Sequence, residues 1–252
     1  MIESSFIILD KVSHKTEQFI WDSGITDWNK FIEAKEVPKI SQFRKFNCDR
    51  FLKKAKTELY SQNSEFFKSC LPNSEVWRLY NFFKEDVVYL DIETTGYYGD
   101  ITVVGLYNGL NTKIMVKGIN LNPEALKQYL KQFKLLVTFN GLSFDVPVLE
   151  KYFPGVIPKI PHLDLRYAAK KVGLEGGLKN IEKILGIQRP EELNEMHGSD
   201  AIYLWNMFKS TGNRDYLQKL IMYNEEDIIN LKKISEIVTK KLSTCLFQQS
   251  NI

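Results

Sequence analysis

The run Val87-Val88-Tyr89-Leu90, followed directly by Asp91-Ile92-Glu93-Thr94-Thr95-Gly96, constrains the fold of this chain more than any other stretch. An unbroken apolar run of this length predicts a buried strand. The strand ends in two acids separated by one apolar residue, and because side chains alternate faces along a strand, Asp91 and Glu93 point the same way. Neighbouring carboxylates repel unless something cationic lies between them, and hard oxygen donors on one side suit Mg²⁺ or Mn²⁺. The plainer alternative is a strand end and a polar turn, with Gly96 supplying an unusual backbone angle.

Two further acids occupy suggestive places. Leu135-Leu136-Val137-Thr138-Phe139 predicts a second buried strand, followed by Asn140-Gly141 and a helix start at Ser143-Phe144-Asp145-Val146-Pro147. Ser143 is the expected N-cap, and Pro147 is tolerated because it falls in the first turn. Asp145 is thereby expected at a helix N-terminus just beyond a strand end. Nearer the C-terminus, Tyr223-Asn224-Glu225-Glu226-Asp227 is expected to open a long amphipathic helix with an apolar stripe through Ile228, Leu231, Ile234 and Ile237-Val238. Tyr223 and Asp227 are spaced to share one face of it. No lysine or arginine is obviously paired with these four acids.

Asp91-x-Glu93, Asn140-x4-Asp145 and Tyr223-x3-Asp227 together resemble the three motifs of the DEDD 3′→5′ exonucleases, which are built on the RNase H-like fold. The tyrosine subclass is indicated, since the histidine subclass places His where this chain has Met222. The stretches Pro72-Asn73-Ser74-Glu75-Val76-Trp77-Arg78-Leu79-Tyr80 and Gly186-Ile187-Gln188-Arg189 are similar to a prokaryotic family of RNase H-like exonucleases labelled YprB. The resemblance implies a mixed α/β sheet flanked by helices and metal-dependent hydrolysis of single-stranded nucleic acid, DNA or RNA, from its 3′ end. Asp91, Glu93, Asp145 and Asp227 would hold two Mg²⁺ or Mn²⁺ ions about 3.5 to 4 Å apart. Tyr223 would orient the attacking water, because a phenol with a pKa near about 10 is a poor base at neutral pH. By resemblance alone, Asn140 and Thr94 or Thr95 would lie near the terminal nucleotide. An endonuclease or junction resolvase on the same fold remains an alternative, since fold does not fix function. An inactive nucleic-acid-binding module is a weaker one, having no use for the acid cluster.

At 252 residues, 44% hydrophobic and 26% charged, the chain has the composition of a soluble globular protein, one sizeable domain with an appendage. No apolar run is long enough to span a bilayer, and Met1-Ile2-Glu3-Ser4-Ser5 is acidic where a signal peptide is basic, so the expected compartment is the cytoplasm and no membrane is involved. Cys48, Cys70 and Cys245 show neither disulfide nor zinc spacing and are expected as free thiols.

The net charge of +3 is a weak pointer to a polyanionic partner. Its distribution says more. From Lys39 to Lys56 the basic residues Lys39, Arg44, Lys45, Arg50, Lys53, Lys54 and Lys56 face the lone Asp49, with Phe43, Phe46 and Phe51 interleaved. Such a segment suits a phosphate backbone and stacked bases, with Lys53, Lys54 and Lys56 as substrate-binding candidates. The alternative is an amphipathic helix with Phe43, Phe46 and Leu52 inward and the lysines solvated.

Residues 1–84 are expected as a helical N-terminal region and residues 85–252 as the RNase H-like domain. His14 to Trp28 resembles the second half of a helix-hairpin-helix, although Lys11 and Ser13 replace the hairpin glycines, so packing by Phe19, Trp21 and Trp28 is the expectation. Ile101–Tyr107 and Lys113–Val116 predict strands joined through Asn108-Gly109-Leu110-Asn111, and Asn122-Pro123-Glu124 starts a helix leading to Phe133. Asp164 is a fifth acid near the core, with helix capping as its competing role; His162 and His197 are expected to be structural. Arg189 faces either a phosphate or an exposed ion-pair partner.

Overall fold

The structure, a computed structural model, describes residues 1–96 and 99–248; the last four residues of the expected 85–252 domain lie outside the described residues. Strands β1 (Val87–Thr94), β2 (Ile101–Tyr107), β3 (Thr112–Val116), β4 (Leu135–Thr138) and β5 (His162–Asp164) form one sheet in the order β3-β2-β1-β4-β5. β1 pairs antiparallel with β2 and parallel with β4, which is parallel to β5. The hairpin between β2 and β3 turns at Asn108, whose side chain accepts the amides of Leu110 and Asn111. This mixed sheet flanked by helices, preceded by a helical N-terminal region, is the RNase H-like α/β fold.

The helices are α1 (His14–Asp22), α2 (Trp28–Glu33), α3 (Gln42–Tyr60), α4 (Ser64–Cys70), α5 (Tyr80–Phe83), α6 (Pro123–Leu130), α7 (Asp145–Tyr152), α8 (Leu165–Lys170), α9 (Leu178–Leu185), α10 (Gly198–Thr211) and α11 (Arg214–Gln248). None is long and apolar enough to cross a membrane. Asn122 caps α6 by accepting the amide of Ala125, with Pro123 at its first position.

Alternation along β1 sorts the core. Val88, Leu90 and Ile92 pack on one side with Leu126, Leu130 and Leu149 of α6 and α7. Val87 and Tyr89 pack on the other side, in a cluster that runs from Ile2 through Trp28, Leu52 and Phe83 to Ile234 and Leu242 of α11. The N-terminal region therefore contributes to the core of one sheet face. It is also tied there electrostatically. Arg78, 1% exposed, donates to both oxygens of Glu17 at 2.8 and 2.9 Å and to Glu75 at 2.7 Å, and Lys171 reaches Glu75 at 2.6 Å.

Four local expectations are corrected. Ser143 does not cap α7: its hydroxyl lies 3.1 Å from that of Tyr167, and the helix begins at Asp145 without a side-chain cap. Tyr223 does not open a helix; α11 already starts at Arg214. Phe43 and Phe46 are 80% and 64% exposed, because the buried stripe of α3 runs through Lys45, Cys48, Leu52, Ala55 and Leu59. Phe19 is likewise 39% exposed, whereas Trp21 and Trp28 are buried. The three cysteines are free thiols.

Candidate active site

Asp91 and Glu93 leave β1 on the side that faces α11, the parity of Val87 and Tyr89. α11 presents Asp227 opposite them, one turn after Tyr223. Carboxylate oxygens of Asp91, Glu93 and Asp227 lie within 4.8 Å of one another. Asp145 stands just outside this triad. The pairing of β1 with β4 ends at Tyr89 and Val137, and beyond it Oδ1 of Asp145 accepts the amide of Ile92 at 3.0 Å. Tyr223 is buried beside the acids.

Crowding these acids makes ionisation costly. Burial raises the Asp91 carboxyl well above its ordinary range, and the charges of Asp145, Asp227 and Glu93 push the same way. Burial, then Asp227 and Asp145, do the same to Glu93. Asp145 is raised from 3.8 to about 7, chiefly by burial and against the amide of Ile92. Asp227 is raised to about 6, again by burial, with the Arg189 guanidinium opposing. Burial and the charges of Asp227, Glu93 and Asp91 push the Tyr223 phenol far up. A buried surplus of carboxylates takes up either protons or a cation, and an all-oxygen donor set at this spacing fits a hard divalent ion.

The expectation that no core cation pairs with the acids is overturned. Arg189, 8% exposed, donates to Glu182 through Nε and Nη2 at 2.7 and 2.6 Å and makes a short contact from Nη2 to Asp227. Its ion pair is thus buried, not exposed. The positive αL angle of Gly186 (φ 70°) ends α9 and turns the chain so that Arg189 returns over Glu182.

Sequence reasoning missed Asn224 as well. Its Nδ2 donates to Oδ2 of Asp91 at 2.8 Å. The approach requires Gly105, paired with Asp91 across β1 and β2, because a Cβ there would stand 1.9 Å from Oδ1 of Asn224. A glycine inside a strand is a known mark of close approach, so this signal was present in Ile101–Tyr107. Lys179, also missed, places Nζ 5.0 Å from the centre of the Tyr223 ring.

The remaining candidates are not part of the triad. Thr94 is buried and donates to the carbonyl of Gly96 at 2.8 Å, while exposed Thr95 accepts the amide of Asp100. Asn140, in left-handed backbone (φ 64°), accepts from Arg166 at 2.7 Å and lines a cleft of about 590 Å³ with Ser143, Phe144, Tyr167 and Lys170. Asp164 caps α8 and also accepts the amides of Asn140 and Leu142, so it shapes that loop. His162 bonds the Thr138 hydroxyl at 2.8 Å, and burial lowers its pKa to about 4. The amide of His197, at the start of α10, donates to Asp200. Lys53 and Lys54 are exposed on α3, and Lys56 donates to Asn29 at 2.8 Å.

A mixed sheet whose central strand and covering helix gather buried carboxylates is the architecture of nuclease-type hydrolases. Residues 88–239 match the family RNase_H_2, and the chain belongs to the RNase H superfamily. No curated relative matches the chain.

Proposed function

We propose that the protein is a metal-dependent nuclease of the DEDD type, tyrosine subclass, that removes nucleotides from the 3′ end of single-stranded nucleic acid. The observation that carries this reading is the convergence of Asp91, Glu93 and Asp227 within 4.8 Å, with Asp145 bonded to the same strand. Asp91, Glu93, Asp227 and Asp145 would hold Mg²⁺ or Mn²⁺, which when bound supplies an activated water and charge stabilisation at the phosphorus. The protein's own groups prepare that place. Asn224 fixes the carboxylate of Asp91, and Arg189 fixes that of Asp227, so two of the donors are held before any ion arrives. The raised pKa of Tyr223 keeps its hydroxyl protonated at neutral pH, which suits it to orient a water and not to take a proton from it.

Residues 1–84 are assigned to grip the strand. The exposed face of α3 presents Phe43, Phe46, Lys53 and Lys54, with Arg50 against the Phe46 ring, an arrangement of flat apolar surface and positive charge that suits unpaired bases and phosphates. Asn140, with Thr94 and Thr95, is assigned to the terminal nucleotide. Incubating the full chain with a 5′-labelled single strand and Mn²⁺ tests the reading: a ladder of products shortened from the 3′ end supports it, and intact strand at every metal concentration refutes it.

A further inference from the structure

Beside α9 lies a cleft of about 910 Å³ whose wall includes Lys179, Glu182, Lys183, Gln188 and Arg189. Two cationic atoms of these lining residues have no hydrogen-bond partner among the described residues although each is buried: Nζ of Lys179 and Nη1 of Arg189. The side chain of Arg189 is only 4% exposed, and its other nitrogens are already engaged by Glu182 and Asp227. Both cations lie against the Tyr223 ring, Nζ at 5.0 Å and the guanidinium carbon at 5.7 Å from its centre. Burying an unpartnered donor on a charged group is costly, so a pair of them on residues that line one cleft favours an anion there.

We propose that Lys179 and Arg189 form a phosphate subsite, in which Nζ and Nη1 donate to the non-bridging oxygens of a phosphate of the bound strand. This rests on the nuclease reading and deepens it. The acid cluster repels a polyanion, and the subsite supplies opposing charge beside Tyr223. Arg189 serves both sides, holding Asp227 through Nη2 and the phosphate through Nη1. Lys179 is a point charge at the N-terminal turn of α9 that bonds no acid among the described residues, so it can be altered without unpairing a buried carboxylate. Asp227, Glu182 and Asp200 act on its charge, and it acts on Glu93, without a hydrogen bond to any of them.

Binding of a short 5′-labelled single strand in excess EDTA, where nothing is turned over, tests the subsite. Lys179→Met keeps the aliphatic stem and should weaken binding about tenfold, the loss of one charge-assisted hydrogen bond, and should lower the slope of log affinity against log salt by about 0.7. Lys179→Arg should restore most of both. Strands carrying one neutral methylphosphonate at each 3′-proximal linkage in turn locate the contact: at one linkage the effect of Lys179→Met should vanish. Inorganic phosphate separates the two sources of the anion, since competition lost in Lys179→Met marks a terminal phosphate, and coupling without competition marks a phosphodiester. If Lys179→Met does not fold, Lys179→Gln replaces it. A wild type that binds and degrades nucleic acid while Lys179→Met keeps its affinity and slope, with no coupled linkage, overturns the subsite and leaves the nuclease reading standing. A wild type that binds no strand overturns both.

Discussion

Asn224 and Asp91 meet through a 2.8 Å hydrogen bond from Nδ2 to Oδ2, made possible because residue 105 has no side chain. The contact joins α11 to β1 at the point where the acids gather, so the helix that brings Asp227 is registered against the strand that brings Asp91. Gly105→Ala places a methyl 1.9 Å from the amide oxygen and should drive Asn224 off Asp91. A stability loss of about 1 to 3 kcal/mol is expected from overpacking, together with weaker Mn²⁺ binding by calorimetry. Unchanged metal affinity would show that Asn224 does not position Asp91.

Under the proposed function, Asp145 belongs to catalysis and not to grip. Asp145→Ala removes a carboxylate beside the triad and leaves α3 and its lysines intact, so cleavage should collapse by at least about a hundredfold while affinity for a single strand changes little. Wild-type turnover from a clean preparation of the variant would remove Asp145 from the site.

Proton binding by the same residue gives a signed pH effect. Burial holds the Asp145 carboxyl at about 7 against an ordinary 3.8, so between those values the folded protein keeps a proton that the unfolded chain has released. Stability in chelator from this group is present at low pH and is lost as pH rises through about 7. Asp145→Asn does not titrate. Its melting temperature relative to wild type, both in EDTA, should therefore be more favourable at pH 8 than at pH 5, and the opposite order would contradict the assignment.

The acids on β1 were legible because a strand has a period of two, and Tyr223 with Asp227 because a helix places such residues on one face. Arg189 was not, since its partner Asp227 is 38 residues away and only the turn after α9 brings them together. Phe43 and Phe46 misled for a different reason. Aromatic residues looked like the inward face of α3, but Cys48, Leu52, Ala55 and Leu59 fill the available depth, and Lys45 enters beside Asp49 and the Phe31 ring. The capping role of Ser143 failed because its hydroxyl lies against that of Tyr167 on α8, a contact between residues 24 apart in sequence.

Arg78 tests how the N-terminal region is attached. Arg78→Met leaves Glu17 without its ion-pair partner at 0% exposure, and breaking a buried pair on one side costs about 3 to 5 kcal/mol. Urea denaturation should show that loss as a lower midpoint. A change under about 0.5 kcal/mol would mean that Glu17 is satisfied by the Ser5 hydroxyl and the amides of Phe6 and Ile7.

Neutralising Lys53, Lys54 and Lys56 to Gln should weaken strand binding and flatten its salt dependence by about 0.7 per lost phosphate contact, with turnover at saturating substrate nearly unchanged. Phe43→Ala with Phe46→Ala should weaken binding with little change in slope, because stacking carries no charge. A triple lysine variant with the wild-type slope would make α3 a solvated face.

The most direct test of the central claim compares a 5′-labelled linear single strand with a circular one, each incubated with the full chain in Mn²⁺ and in excess EDTA. A metal-dependent 3′→5′ exonuclease shortens the linear strand from its 3′ end in Mn²⁺, leaves the circle intact and does nothing in EDTA. Cutting of the circle would establish an endonuclease, and undiminished hydrolysis in EDTA would contradict the assignment of Asp91, Glu93 and Asp227 as metal ligands.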